Sequence, residues 1–143
     1  MNIALIAHDR KKELMVQFCI AYCGVLAKHN LCSTRTTGKL ISDATGLNVE
    51  TYLHSSQGCQ QIDARISYNE IDLVLFLCDP EHAGGFDDVN RMARLCDQQR
   101  IPFASNVATA EMLILGLSRG DLDWREIVNP RSEYNARRKA KQG

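Results

Sequence analysis

Residues 71–77 read Ile-Asp-Leu-Val-Leu-Phe-Leu, the most apolar stretch in the chain. A nearly unbroken apolar run of strand length leaves no face for water, so it belongs to a central strand covered on both sides. Asp79-Pro80 ends it. A strand of this kind calls for parallel neighbours, and those need crossover connections that are usually helical. The remaining sequence supplies both. Residues 1–7 form a second apolar run. Residues 11–29 place Leu14, Phe18, Ala21, Tyr22, Val25 and Leu26 at helical spacing. A brief strand is expected over 31–34, a helix over 37–44 closed near Gly46, an edge strand over 49–53 and a helix over 59–67. Beyond the central run come a helix over 87–99 (Val89, Met92, Ala93, Cys96), a strand over 101–105 and a helix over 109–117. The alternation predicts a single three-layer α/β/α domain with a mainly parallel sheet, spanning residues 1–130. Residues 131–143 are polar and end on Arg137, Arg138, Lys139 and Lys141; they read as a solvated, partly disordered tail.

Bulk properties narrow the function. Seventeen basic and seventeen acidic residues balance, so the basic footprint of a nucleic-acid binder is absent and no such partner is expected. No apolar run approaches the ~18 residues of a membrane span, and the N-terminus lacks a signal-peptide pattern. Six cysteines are scattered with no C-x-x-C pair, which fits reduced core thiols in a cytoplasmic protein better than disulfides or a metal site.

In a parallel α/β sheet ligands bind beyond the carboxyl ends of the strands. The informative polar residues are therefore His8 and Asp9, the run from Thr34 to Gly38, His54 to Gly58, Asp79 and His82, and Ser105 with Asn106. The stretch Cys-Ser-Thr-Arg-Thr-Thr-Gly-Lys (residues 32–39) is the most specific of these. It reads as a strand turning straight into a helix, with the hydroxyls of Thr34, Thr36 and Thr37, a turn glycine at Gly38 and the cation of Lys39. The first N–H groups of a helix lack intrahelical partners and sit at its positive dipole end, so this is a phosphate cradle.

The residues around the cradle resemble the methylglyoxal synthase family. Ala7-His8-Asp9-Arg10-Lys11-Lys12 is similar to its His-Asp-x-x-Lys opening, and Thr34-Arg35-Thr36-Thr37-Gly38 to its Thr-Gly-Thr-Thr-Gly loop. Ala44-Thr45-Gly46-Leu47-Asn48-Val49, Gln60-Gln61-Ile62, Cys78-Asp79-Pro80 and Asn106-Val107-Ala108-Thr109-Ala110 continue the likeness at near-constant spacing. The resemblance implies conversion of dihydroxyacetone phosphate to methylglyoxal and inorganic phosphate without metal or organic cofactor, commonly in a homohexamer. A carboxylate takes the proton alpha to the carbonyl and the resulting enediolate expels phosphate. Carried over residue by residue, the likeness assigns substrate and phosphate binding to His8, Asp9, Lys12, Thr34, Arg35, Thr36, Thr37 and His54, and catalysis to Cys59, Asp79 and Asp88.

The likeness is incomplete where the reaction would occur. Cys59 stands where the family has its aspartate base, Leu53-His54 replaces Ser-Gly, and Arg35 replaces the glycine of the threonine loop. A family histidine falls in a loop one residue shorter here, with Phe86 its nearest counterpart and His82 close by. Two functions stay open on these residues. One is a methylglyoxal synthase-like lyase. The other is a catalytically silent homologue that binds a small phosphorylated ligand, as the same fold does in the effector domain of carbamoyl phosphate synthetases.

Overall fold

The computed structural model describes residues 1–53 and 55–142, with Ser55 and Ser56 described by their backbone alone. Strands β1 (Asn2–Ala7), β2 (Asn30–Thr34), β3 (Val49–Tyr52), β4 (Leu73–Leu77) and β5 (Phe103–Ala104) form one sheet in the order β3-β2-β1-β4-β5. Every pairing is parallel. The expected α/β architecture is the one the chain adopts. β1 and β4 lie side by side, with Ile3 opposite Leu73 and Ala7 opposite Leu77. All of β4 is buried, which is why its sequence shows no polar alternation.

Side chains alternate between the two faces of the sheet. Ile3, Leu5, Ala7, Leu73 and Leu75 share one core with Met15 and Phe18 of α1 (Lys12–Ala21), Ile41 of α3 (Arg35–Thr45) and Ile114 of α6 (Val107–Ser118). Ala4, Ile6, Val74 and Phe76 share the other with Ile62 and Ile66 of α4 (Ser55–Ser67) and Met92 and Cys96 of α5 (Asp87–Gln99).

Several expectations shift. The helix expected over 11–29 is a 3₁₀ turn (Asp9–Lys11), α1, and a short α2 (Cys23–Leu26), broken at Tyr22 (φ −111°, ψ 24°) just before Gly24, a poor helix former. Its buried face is Met15, Phe18, Cys19 and Leu26, while Leu14 is exposed. β5 is only two residues long; Pro102 accepts from Val74 N (3.0 Å) but has no N–H to extend the ladder. Gly46 closes α3 in the left-handed conformation (φ 75°), as expected.

The segment expected as a tail is helical. After α7 (Arg125–Val128), α8 covers Glu133–Gln142, and the Asn135 side-chain amide donates to the carbonyls of Glu126 (3.2 Å) and Ile127 (3.1 Å). Lys139 and Lys141 fall in its last turn, where the helix dipole favours cations. α7 is anchored by Arg125, which is fully buried beneath the N-terminal end of β4. Its guanidinium meets Asp72 (3.3 Å), Asn69 Oδ1 (2.8 Å), Ile71 O (2.7 Å) and Gln99 O (3.1 Å).

Candidate active site

The chain runs from β1 to β2 and β3 on one side of the sheet, and to β4 and β5 on the other. The switch point lies between β1 and β4, where such sheets open a crevice at their carboxyl ends. A cavity of about 240 Å³ occupies it, lined by Ile6, Ala7, His8, Asp9, Lys12, Thr34, Thr36, Cys59, Phe76, His82 and Asp88. That is below the ~300–1,000 Å³ typical of sites for drug-sized ligands.

One wall is the junction of β2 and α3. Thr34 occupies the N-cap position in extended geometry (φ −69°, ψ 159°), yet its hydroxyl makes no capping hydrogen bond. The first N–H groups of α3 and the Thr34 hydroxyl therefore remain available to an anion. Helix geometry begins at Arg35, so the threonine run is the first helical turn and not a loop ahead of it. Gly38 accordingly lies inside the helix. A Cβ there would fall 2.5 Å from Thr51 Cγ2 and 3.3 Å from Ser33 Cβ, so the glycine permits close packing of α3 on β2 and β3 and makes no turn. The expected turn glycine is corrected on that ground. Gly58 permits a second close approach, since a Cβ would run into the Leu53 carbonyl and crowd Thr34.

Lys12 supplies the cation. Its Nζ donates to Ala7 O and to Thr37 Oγ1, both at 2.9 Å, and lies 3.4 Å from Asp9 Oδ1. Thr37 is fully buried and does not line the cavity. It holds Lys12 in place from behind.

The opposite wall centres on His8. The backbone N–H of Asp79 donates to His8 Nδ1 (2.9 Å). An N–H donor requires the lone pair of Nδ1, so the ring is the neutral Nε2–H tautomer. Burial lowers the His8 pKa, and the His82 ring, stacked on it at 3.9 Å and 11°, adds to the effect; the Asp79 and Asp88 carboxylates oppose it. Phe76 holds the other side edge-on at 5.2 Å. Asp79 itself turns away: its Oδ1 accepts from Glu81 N (3.0 Å), and its carboxylate shapes the loop without lining the cavity.

Cys59 closes the floor from α4. Burial raises its thiol to about 11, with the Asp88 and Asp63 carboxylates adding to the shift and Arg91 and Lys12 opposing it. Asp88, at the start of α5, is tied by Oδ1 to Arg91 (3.2 Å), and the same guanidinium donates through Nε to Asp63 Oδ2 (2.7 Å). Among the described residues no group of three or more His, Cys, Asp and Glu side chains could hold a metal ion.

A family model described as the MGS-like domain matches residues 15–105. The chain belongs to that family. It is similar to the methylglyoxal synthase of Caldicellulosiruptor saccharolyticus, 59% identical over 137 residues, covering 94% of this chain and 97% of the relative. The methylglyoxal synthase of Oceanobacillus iheyensis is 52% identical over 135 residues, covering 93% and 96%. A crystal structure of methylglyoxal synthase from Elizabethkingia anophelis superposes with a TM-score of 0.74 at 40% identity, over 79% of this chain and 76% of that one.

Within this family fold, the cavity brings together His8, Asp9, Lys12, Thr34, Thr36, Cys59 and Asp88 of the residues singled out in sequence. Thr37 and Asp79 stand one layer back, and Arg35 is exposed and outside the lining. His54 lies outside the described residues. His82, not Phe86, lines the cavity, because the two glycines that follow it let the loop fold back over His8. Arg91 and Asp63 gave no signal as a pair, being 28 residues apart.

Proposed function

We propose that the protein is a lyase of the methylglyoxal synthase type, converting dihydroxyacetone phosphate to methylglyoxal and inorganic phosphate. The observation that carries this reading is a single small cavity in which an uncapped helix N-terminus and a lysine face a neutral imidazole and a carboxylate. The phosphoryl group sits against Thr34, Thr36, Lys12 and the first N–H groups of α3. His8 donates through Nε2 to the substrate carbonyl oxygen, the atom on which negative charge develops. A base takes the proton alpha to that carbonyl, and the C–H electron pair becomes the enediolate double bond. Collapse of the enediolate breaks the carbon–oxygen bond to phosphate, which leaves with that pair; the enol product tautomerises to methylglyoxal.

We assign the proton abstraction to Asp88. The position expected to carry the base holds Cys59, and a thiol pushed up to about 11 is protonated at neutral pH. Asp79 is engaged in its own turn, and Asp9 is an almost fully exposed carboxylate paired with Lys12; Asp88 lines the cavity with its Oδ1 held by Arg91. The six free thiols suit a reducing compartment, and we place the enzyme in the cytoplasm. We also read it as a homo-oligomer, a hexamer by the family resemblance.

The test is release of phosphate from dihydroxyacetone phosphate by purified protein, with trapping of methylglyoxal. Release of both in equal amounts is expected, and Asp88→Asn should lower the rate by about 10²–10⁴, the usual contribution of a positioned base. Absence of turnover, with thermal stabilisation by inorganic phosphate retained, would replace the lyase by a phosphate-ligand-binding module.

A further inference from the structure

Asp63 is a carboxylate in an apolar setting. It lies on α4 between Ile62 and Ile66, is buried, and has one oxygen (Oδ1) with no hydrogen-bond partner. Burial raises its pKa, against the pull of the Arg91 guanidinium. A buried acid of this kind weakens a core unless it does something else. Among the described residues its partner is Arg91, which sits one helical turn beyond Asp88 on α5 and donates to both carboxylates at once. The guanidinium is planar and rigid, so anchoring its Nε on Asp63 fixes where its second donor meets Asp88. Asp88 Oδ1 is thereby occupied, and Oδ2 makes no hydrogen bond among the described residues.

Resting on the lyase reading above, we infer that Asp63 and Arg91 are positioning residues that hold Asp88 with one oxygen turned to the cavity. The arrangement explains three features together: a buried acid in an apolar helix face, an arginine shared by two acids, and a carboxylate at the cavity in place of a usable thiolate.

The experiment measures kcat and KM for wild type, Arg91→Ala, Arg91→Lys, Asp63→Asn and the Arg91→Ala/Asp63→Asn pair, with thermal stability followed in parallel. Loss of the clamp should lower kcat at least about tenfold while KM moves by less than about threefold, since misplacement affects the transition state more than binding. Arg91→Lys, which keeps a cation between the two carboxylates, should recover part of the rate. The pair should be no slower than Arg91→Ala alone. Unchanged kcat in folded variants of an active enzyme, or an Arg91→Lys no faster than Arg91→Ala, would overturn the clamp and leave the lyase reading intact. A rate loss that tracks only lost thermal stability would do the same. An inactive wild type would instead remove the lyase reading on which the clamp rests.

Discussion

The sharpest consequence of the site concerns Cys59, because the thiol and the carboxylate make opposite demands on pH. Burial takes the thiol from an ordinary 9.0 to about 11. At pH 7, about four units lower, only about one molecule in ten thousand carries a thiolate, and the fraction grows tenfold with each pH unit. A thiolate base would therefore make kcat/KM climb about a thousandfold between about pH 7 and about pH 10, on a slope of one. A carboxylate base is already ionised at pH 7 and gives a plateau over the same range. Cys59→Ser separates the two further, since a serine hydroxyl does not ionise there. The substitution places a hydroxyl in an apolar cluster and should cost about 1–3 kcal/mol of stability, so rates belong well below its unfolding transition. Initial rates of phosphate release across that pH range should show a plateau in wild type and activity in Cys59→Ser within about tenfold of it. A slope of one in wild type, together with an inactive but folded Cys59→Ser, would refute the assignment of the base to Asp88.

Four further expectations follow from named contacts. Lys12→Met should abolish stabilisation by inorganic phosphate, a loss of about 2.7 kcal/mol at a hundred times the wild-type Kd, readable as a missing rise in Tm. Gly38→Ala places a methyl 2.5 Å from Thr51 Cγ2 and should cost about 1–3 kcal/mol of overpacking, less the ~1 kcal/mol by which alanine favours a helix; Thr51→Ser should relieve it in urea unfolding. Burial raises Cys19 and Cys96 to about 12 and Cys32 and Cys59 to about 11, so the unfolded chain ionises first and stability should be full below about pH 9 and fall from there toward pH 11–12; urea midpoints measured from neutral to alkaline pH check this, and Cys96→Ala should flatten the decline. Arg125→Met leaves Asp72 buried without its cation and should cost about 3–5 kcal/mol, much of it recovered by adding Asp72→Asn, as read from the urea midpoints of the single and double variants.

The fold was legible because its strongest signals are local. The unbroken apolar run of β4 demanded a doubly covered strand, and the alternation of short runs with amphipathic segments supplied the crossovers. The cavity wall built from β2 and α3 was legible for the same reason, since strand, hydroxyls and helix start are contiguous from Cys32 to Lys39. What failed to show depends on packing across the chain. Gly38 looks like a turn residue until Thr51 and Ser33 close over it. Thr37 looks like a ligand until Lys12 reaches back to it. Arg125 reads as an ordinary charged residue near a polar terminus, and only the fold brings Asp72, Asn69 and Gln99 around it. The clamp on Asp88 joins residues from two helices whose spacing carries no motif.

The two ends of β4 explain how one strand serves both stability and chemistry. At its N-terminal end Asp72 accepts from the backbone N–H of Asn2 (2.8 Å) and the Asn129 amide (2.9 Å) and pairs with Arg125, so its polar demand is met inside the protein. Around its C-terminal end polar groups are turned to the cavity: the Asp79 N–H orients His8, Thr34 at the end of β2 leaves its helix uncapped, and Asp88 at the start of α5 is held by Arg91. A site that must hold reacting atoms to within about 0.5 Å needs supports that do not themselves reorganise. The Asp63–Arg91 pair gives the Asp88 carboxylate such a support, since Arg91 holds its Oδ1 from the next turn of α5 while Asp63 anchors Arg91 from α4.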